Sequence, residues 1–232
     1  MTANLELTPI AYIHSDFPSK FGIPRQSGLT EELKSTIVFE DGFRSQDALR
    51  GLSDFSHLWI IWGFSENSQS GWSPTVRPPR LGGNKRMGVF ATRSPFRPNP
   101  LGLSSVKIAE IKRDPQLGPV ISVCGGDLMD GTPIYDIKPY IATDCHPDAL
   151  CGFADQTRND RLSVTIEPDL LAKLPDPLQA GLYSILAQDP RPSYQDDPDR
   201  IYGFPFAGFE VKFRVDGESL EVIEILPLMR HC

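Results

Sequence analysis

The stretch from Thr75 to Ser105, TVRPPRLGGNKRMGVFATRSPFRPNPLGLSS, constrains the fold more than any other part of the chain. Proline and glycine recur in it too often for a helix or a long strand to persist. Arginine returns at Arg77, Arg80, Arg86, Arg93 and Arg97. Pro95, Pro98 and Pro100 narrow the unfolded ensemble, so less ordering cost remains when a ligand binds. The plainer reading is a rigid surface loop whose arginines are solvated. Across all 232 residues, 22 prolines and 19 glycines are spread without a period. That pattern suits short strands joined by turns.

The remaining patterns point the same way. HLWIIWGF (His57 to Phe64) is a short apolar run rich in aromatic and β-branched residues, which predicts a strand buried on both faces. Trp59 and Trp62 are therefore expected in the core. Before it, Ser45 is placed to cap a short helix and Gly51 to end it. SSVKIAEI (Ser104 to Ile111) and PVISVCG (Pro119 to Gly125) read as strands around a turn. Residues 143–160 are polar and aperiodic, which sets an expected boundary between units at 1–146 and 147–232. In the second unit Asp176 is expected to cap a helix with Pro177 at its first position. Leu178, Leu182, Ile185 and Leu186 share a face of it, and Asp189-Pro190 stops it. FEVKFRV then alternates, and Asp216-Gly217 turns it into SLEVIEIL. The chain is expected to be α+β and mainly β.

A formal charge of −7 argues against a protein that coats nucleic acid. Between Arg77 and Arg113, however, nine basic residues face one acid, Glu110, so the segment carries +8 and everything else −15. A basic stripe on an acidic body selects one polyanion while repelling most others. Cys124, Cys145, Cys151 and Cys232 form no CxxC pair, so reduced thiols are expected, and Cys145, His146 and Cys151 lack zinc-ligand spacing. A signal-like start and a run of about 20 apolar residues are both missing, which predicts a cytoplasmic protein with no membrane partner.

Gly88 to Asn99, GVFATRSPFRPN, resembles the defining motif of the TsaA-like (YaeB) family, which includes the TrmO-type tRNA (adenine-N6)-methyltransferases. Pro24-Arg25-Gln26, FSHLWI (Phe55 to Ile60), GWSPTVRPPRLGG (Gly71 to Gly83), DLMDGTPIYDIKPY (Asp127 to Tyr140) and LAQDPRPSY (Leu186 to Tyr194) resemble further family blocks in the same order. The resemblance implies an N-terminal antiparallel β-barrel-like domain, a small C-terminal α/β domain, a homodimer and S-adenosylmethionine as methyl donor. No strand-associated GxGxxG supports the common doubly wound donor site. Implied donor contacts are Pro24, Arg25, Gln26, Ser65, Glu66, Arg93, Leu103, Asp127, Leu128, Met129 and Asp130. Family members carry His-Gln where this sequence has Ser65-Glu66, so the backbone contact is the one carried over there. The implied substrate is N6-threonylcarbamoyladenosine beside the anticodon of a threonine tRNA reading ACY codons. Arg77, Arg80, Arg86, Arg97, Asn99, Lys138, Arg191 and Tyr194 are the candidate tRNA contacts, with Arg191 and Tyr194 near the neighbouring subunit's active site.

Transfer from a sulfonium is an in-line displacement in which positioning supplies most of the rate. Acids and carbonyls steady the positive donor, a role that suits Asp127 and Asp130. Arg93 is matched to the donor's carboxylate, and Arg97 or Arg77 to the threonyl carboxylate of the substrate. A general base must accept the N6 proton. Asp130, Asp136 and His57 are the candidates, with His57 read first as structural because it opens a strand. Asn99-Pro100 lacks a following aromatic and reads as a tight turn. A non-enzymatic S-adenosylmethionine- or tRNA-binding regulator is the alternative, separated from the enzyme by turnover. A phosphate-ester hydrolase would need a nucleophile or metal that the sequence does not present.

Overall fold

The computed structural model describes residues 5–67, 71–78, 81, 84–156, 161–191 and 197–228. Twelve strands are set out along them. β1 (Ala11–His14), β2 (Lys34–Phe39) and β3 (His57–Gly63) come first, then the short pair β4 (Thr75–Val76) and β5 (Met87–Gly88). β6 (Leu101–Asp114), β7 (Gly118–Cys124) and β8 (Thr132–Pro139) follow. The last third holds α1 (Phe153–Gln156), β9 (Ser163–Thr165), α2 (Pro168–Leu171), α3 (Asp176–Ala187), β10 (Tyr202–Phe206), β11 (Phe209–Asp216) and β12 (Ser219–Pro227).

Six strands pair in the order β1-β2-β7-β6-β3-β8, and β8 pairs back to β1, so the antiparallel sheet closes into a barrel with no free edge. Period-2 alternation fills it. Ala11, Ile13, Ile37, Leu58, Ile60, Val106, Ile121, Val123 and Ile134 point inward and are buried. The run at His57–Gly63 is therefore half-buried rather than buried on both faces: Leu58 and Ile60 enter the core, while His57, Trp59 and Ile61 remain partly exposed on the outside. Trp59 consequently lies outside the core, and Trp62 packs at its margin.

The C-terminal unit is a four-stranded sheet in the order β10-β11-β12-β9, with β9 parallel to β12, and it shares an apolar core with α3. Leu182, Ile185 and Leu186 enter that core as their helical spacing predicts. The helix start differs from expectation. Pro175 is the cap, Asp176 and Pro177 are the first two helical residues, and no side chain caps the end. Asp176 instead accepts a hydrogen bond from the Gln179 amide, 3.3 Å. Ser45 likewise makes no cap bond, and the turn after it is the 3-10 helix Gln46–Leu49.

The segment between β1 and β2 packs into the C-terminal unit. Between β1 and β2 the chain leaves the barrel and buries Phe17 and Leu33 in the C-terminal core, with Phe21 and Ile23 packed against it. Phe17 meets Phe206 at 5.9 Å between ring centroids, and Phe21 meets Phe204 at 6.0 Å. Gly22 has φ +89°, and a Cβ there would lie 2.2 Å from the Phe204 ring. Only glycine supplies both the backbone angle and the clearance. This excursion carries Pro24 through Ser27 over the barrel.

Candidate active site

The cluster closest to the expected donor site is built where the Pro24–Ser27 excursion meets the barrel. The segment after β7 is fastened to it by backbone bonds. Gly28 donates to the Gly125 carbonyl, 2.9 Å, and Gly125 donates to that of Leu33, 3.3 Å. Gly125, at φ +76°, passes so close to Gly28 that a Cβ would sit 3.2 Å from its Cα. Asp127 is thereby carried to the barrel rim with most of its carboxylate shielded from water.

Three residues from other segments bear on that carboxylate. The Ser104 hydroxyl donates to Asp127 Oδ1 at 2.6 Å, and the Trp62 indole N–H donates to Ser104 Oγ at 2.9 Å. The Ser27 amide bonds it as well, and the Arg93 guanidinium acts on it through its charge. Arg93 also donates to Gln26 Oε1 at 2.5 Å. Burial holds the Asp127 carboxyl above the usual carboxylate range, against the lowering pull of Ser104, the backbone amides and Arg93. Leu128 is buried next to it in the chain, with Met129 half-buried. Leu103, 53% exposed, lies on the outer face of β6 beside Ser104, which is 1% exposed.

Asp130 does a different job from Asp127. It accepts the Ser15 amide at 3.1 Å and lies 3.2 Å from His14 Nδ1. Its charge adds to the effect of burial in raising the Asp16 carboxyl. Asp136 forms an ion pair with Lys138, 2.8 Å, on the outer face of β8, and in register it stands opposite Ile61. Ser65 and Glu66 are exposed in a 3-10 turn just past β3. Arg25 is engaged within the chain: its guanidinium donates to the carbonyls of Asp189 and Arg191. Arg191 in turn grips the Asp189 carboxylate through Nε at 2.9 Å and Nη2 at 3.0 Å. These bonds fasten the Asp189-Pro190-Arg191 loop to the Pro24–Ser27 turn.

The basic stripe places Arg77 and Arg86 in solvent around the β4–β5 pair, while Arg97 is half-buried and donates to the Thr92 carbonyl, 3.3 Å. Asn99 is exposed, with its carbonyl accepting from Leu101 at 2.8 Å. Arg80 and Tyr194 lie outside the described residues. Trp72, Phe90 and Phe96 are 57%, 74% and 39% exposed. Cations interleaved with bared aromatic rings suit an unpaired nucleic-acid strand, which offers phosphates and base faces together.

A cavity of about 470 Å³ opens on the outside of the barrel, lined by Ser27, Glu31, His57, Trp59, Lys107 and Tyr140 among others. It adjoins the donor cluster through Gln26-Ser27 and through Leu103-Ser104-Ser105. Trp59 donates its indole N–H to Asp144 Oδ2, 2.8 Å, and its ring lies 5.4 Å from that of Tyr140. With the polar edge of Trp59 spent, its ring face is what remains to offer. His57 Nδ1 lies 2.8 Å from Ser56 Oγ at the same cavity.

Of the expected donor contacts, the structure brings Gln26, Arg93 and Asp127 together. Trp62, Ser104 and Ser27 were not foreseen. A serine at an inward position of an alternating strand was the available signal, because a buried hydroxyl needs a partner.

The fold is a closed antiparallel barrel, not a doubly wound sheet, with an acid, an amide and a guanidinium gathered on its loops beside a stripe of arginines and exposed aromatics. Family profiles make the assignment specific: the tRNA-methyltransferase O N-terminal domain matches residues 12–145, and the TrmO C-terminal domain matches 160–228. The chain belongs to the tRNA-methyltransferase O family. A tRNA (adenine(37)-N6)-methyltransferase of Escherichia coli K12 is 38% identical over 234 residues, covering 97% of this chain and 99% of that protein. A Pseudomonas aeruginosa relative, whose name places it among S-adenosylmethionine-dependent methyltransferases, is 38% identical over 208 residues, 85% of this chain and 87% of its own. The crystal structure of a P. aeruginosa TrmO superposes with a TM-score of 0.78 at 30% identity, covering 98% of this chain and 99% of that one.

Proposed function

We propose that this chain transfers a methyl group from S-adenosylmethionine to N6 of the adenine at tRNA position 37, and that the preferred substrate carries a threonylcarbamoyl group on that nitrogen. Family membership supports the donor and the reaction. The observation that carries the reading is the Gln26–Arg93–Asp127 cluster beside the arginine-aromatic stripe.

The cluster fits the donor's chemistry. Arg93 is exposed enough to take the methionyl carboxylate, and the Gln26 amide can share it. Asp127 supplies a negative charge for the donor's cationic end. Leu103 offers an apolar surface beside them, and Pro24, Leu128 and Met129 shape the surrounding backbone. When bound, the donor supplies an activated methyl group whose departure leaves a neutral thioether.

The rest of the chemistry belongs to side chains of the chain. Urea-like N6 is weakly basic but its proton is comparatively acidic, so a carboxylate suffices to accept it. Asp136 is assigned that role over Asp130, because it lies on the same outer face as Trp59, Ile61 and Leu103, whereas Asp130 is held at the end of β1. Lys138 pairs with the Asp136 carboxylate at 2.8 Å. Trp59 and Tyr140 give the base a ring surface, and Arg77 or Arg97 reads the threonyl carboxylate. Arg86 and Asn99 contact the phosphates of the anticodon loop, joined by Arg80 and Tyr194. The protein works as a homodimer in the cytoplasm, with threonine tRNAs reading ACY codons as substrates. Among the described residues no helix is long and apolar enough to cross a membrane.

Incubating the purified chain with methyl-labelled donor and tRNA from cells lacking this modification tests the reading. Label should enter tRNA bearing threonylcarbamoyladenosine and be lost with Asp136→Ala. Equal labelling of tRNA without that group would refute the substrate, and no labelling of either would leave a non-catalytic binding module.

A further inference from the structure

We infer that Trp62 and Ser104 are positioning residues for the methyl donor, acting through the Asp127 carboxylate on the Gln26–Arg93 pair; the inference rests on the function proposed above. An indole N–H can only donate, so the bond from Trp62 to Ser104 Oγ, 2.9 Å, occupies a lone pair of the hydroxyl oxygen. The hydroxyl hydrogen is then directed to Asp127 Oδ1, 2.6 Å away. The two bonds have one polarity along their length, from the indole to the carboxylate.

The relay is set in the barrel wall. Ser104 is 1% exposed at an inward position of β6, where a hydroxyl without partners would be costly. Trp62 stands opposite Gly102 in the β3–β6 ladder, two residues along the same face from Ser104. The indole lies across Gly102, where a Cβ would stand 2.2 Å from Trp62 Cε2. A side chain at position 102 would displace the ring. Glycine there and the buried serine both serve one geometry.

At its far end the relay meets loop residues. Asp127 is bonded by the Ser27 amide and attracted by Arg93, the charged group that bears on it, and Arg93 is bonded to Gln26. A rigid carboxylate thus fixes the spacing of two groups that come from separate excursions of the chain. Burial raises the Asp127 carboxyl and the Ser104 bond opposes that rise. Removing the hydroxyl moves its protonation to higher pH, and a neutral Asp127 no longer attracts Arg93.

The test compares wild type with Ser104→Ala, Ser104→Thr and Trp62→Phe, measuring donor KM, kcat and their pH dependence with threonylcarbamoyl-tRNA saturating, together with Tm. Loss of a charge-assisted bond should raise donor KM about tenfold in Ser104→Ala, with kcat nearly unchanged. The acid limb of kcat/KM should move to higher pH. Trp62→Phe keeps a ring without the N–H and should shift both in the same direction by less, while Ser104→Thr, which keeps the hydroxyl, should restore the wild-type limb. If Ser104→Ala lowers Tm without moving KM or the acid limb, or leaves everything as in wild type, the relay has no positioning role. If wild type itself binds no donor, the proposed function fails, which is a separate result.

Discussion

Replacing Gly22 with alanine should unseat the excursion that carries the donor cluster. Two costs combine. At φ +89° an L-residue pays roughly 1–2 kcal/mol of backbone strain. The new Cβ would also stand 2.2 Å from Phe204 Cδ2 and 2.6 Å from Cε2. Phe204 is fully buried and packed on Phe21 and Phe213, each about 6.0 Å away between ring centroids, so it has nowhere to retreat. Forced overpacking of this kind costs typically about 1–3 kcal/mol. The sum is about 2–5 kcal/mol, a large share of the roughly 5–15 kcal/mol that holds a domain together. Gly28 supplies the control. It has φ +79° but nothing within 4 Å of an added Cβ, so Gly28→Ala should lose only the strain, about 1–2 kcal/mol. Urea unfolding followed by circular dichroism measures both. Equal losses in the two variants would show that the contact between Gly22 and Phe204 contributes nothing.

Leu182→Ala, at a fully buried position of α3, should cost about 2–5 kcal/mol in the same assay, and a loss below 1 kcal/mol would mean the C-terminal core is not closed around it. Arg25→Ala removes the guanidinium that joins the carbonyls of Asp189 and Arg191. Stability should fall by about 1–3 kcal/mol, and amide exchange at residues 189–191 should accelerate; unchanged exchange would show that the tether is idle.

The strands that alternate cleanly were legible before the fold was known. Phe209–Asp216 and Ser219–Pro227 pair as the pattern predicts, and the α3 face follows the spacing of Leu182, Ile185 and Leu186. β1, β2 and β8 were not marked out by composition, because short strands gain definition from their barrel neighbours more than from intrinsic preference. The HLWIIWG run misled for a related reason. An apolar run fits burial on both faces, but a barrel strand has only one inward face, so Trp59 ends outside and binds Asp144. The resemblance brought Gln26, Arg93 and Asp127 to attention from three distant segments, and the structure joins them. It gave no hint that Arg25 and Arg191 would fasten a loop within the chain, since a guanidinium bound to carbonyls reads in sequence like one reserved for phosphate.

Titration of S-adenosylmethionine into the purified protein by calorimetry tests the central claim most directly, alongside Gln26→Ala and Arg93→Ala. The account predicts saturable binding at one site per chain in wild type and a marked loss of affinity in both variants, with their unfolding midpoints little changed. Heat indistinguishable from dilution in wild type, or variants that bind as tightly as wild type, would contradict it.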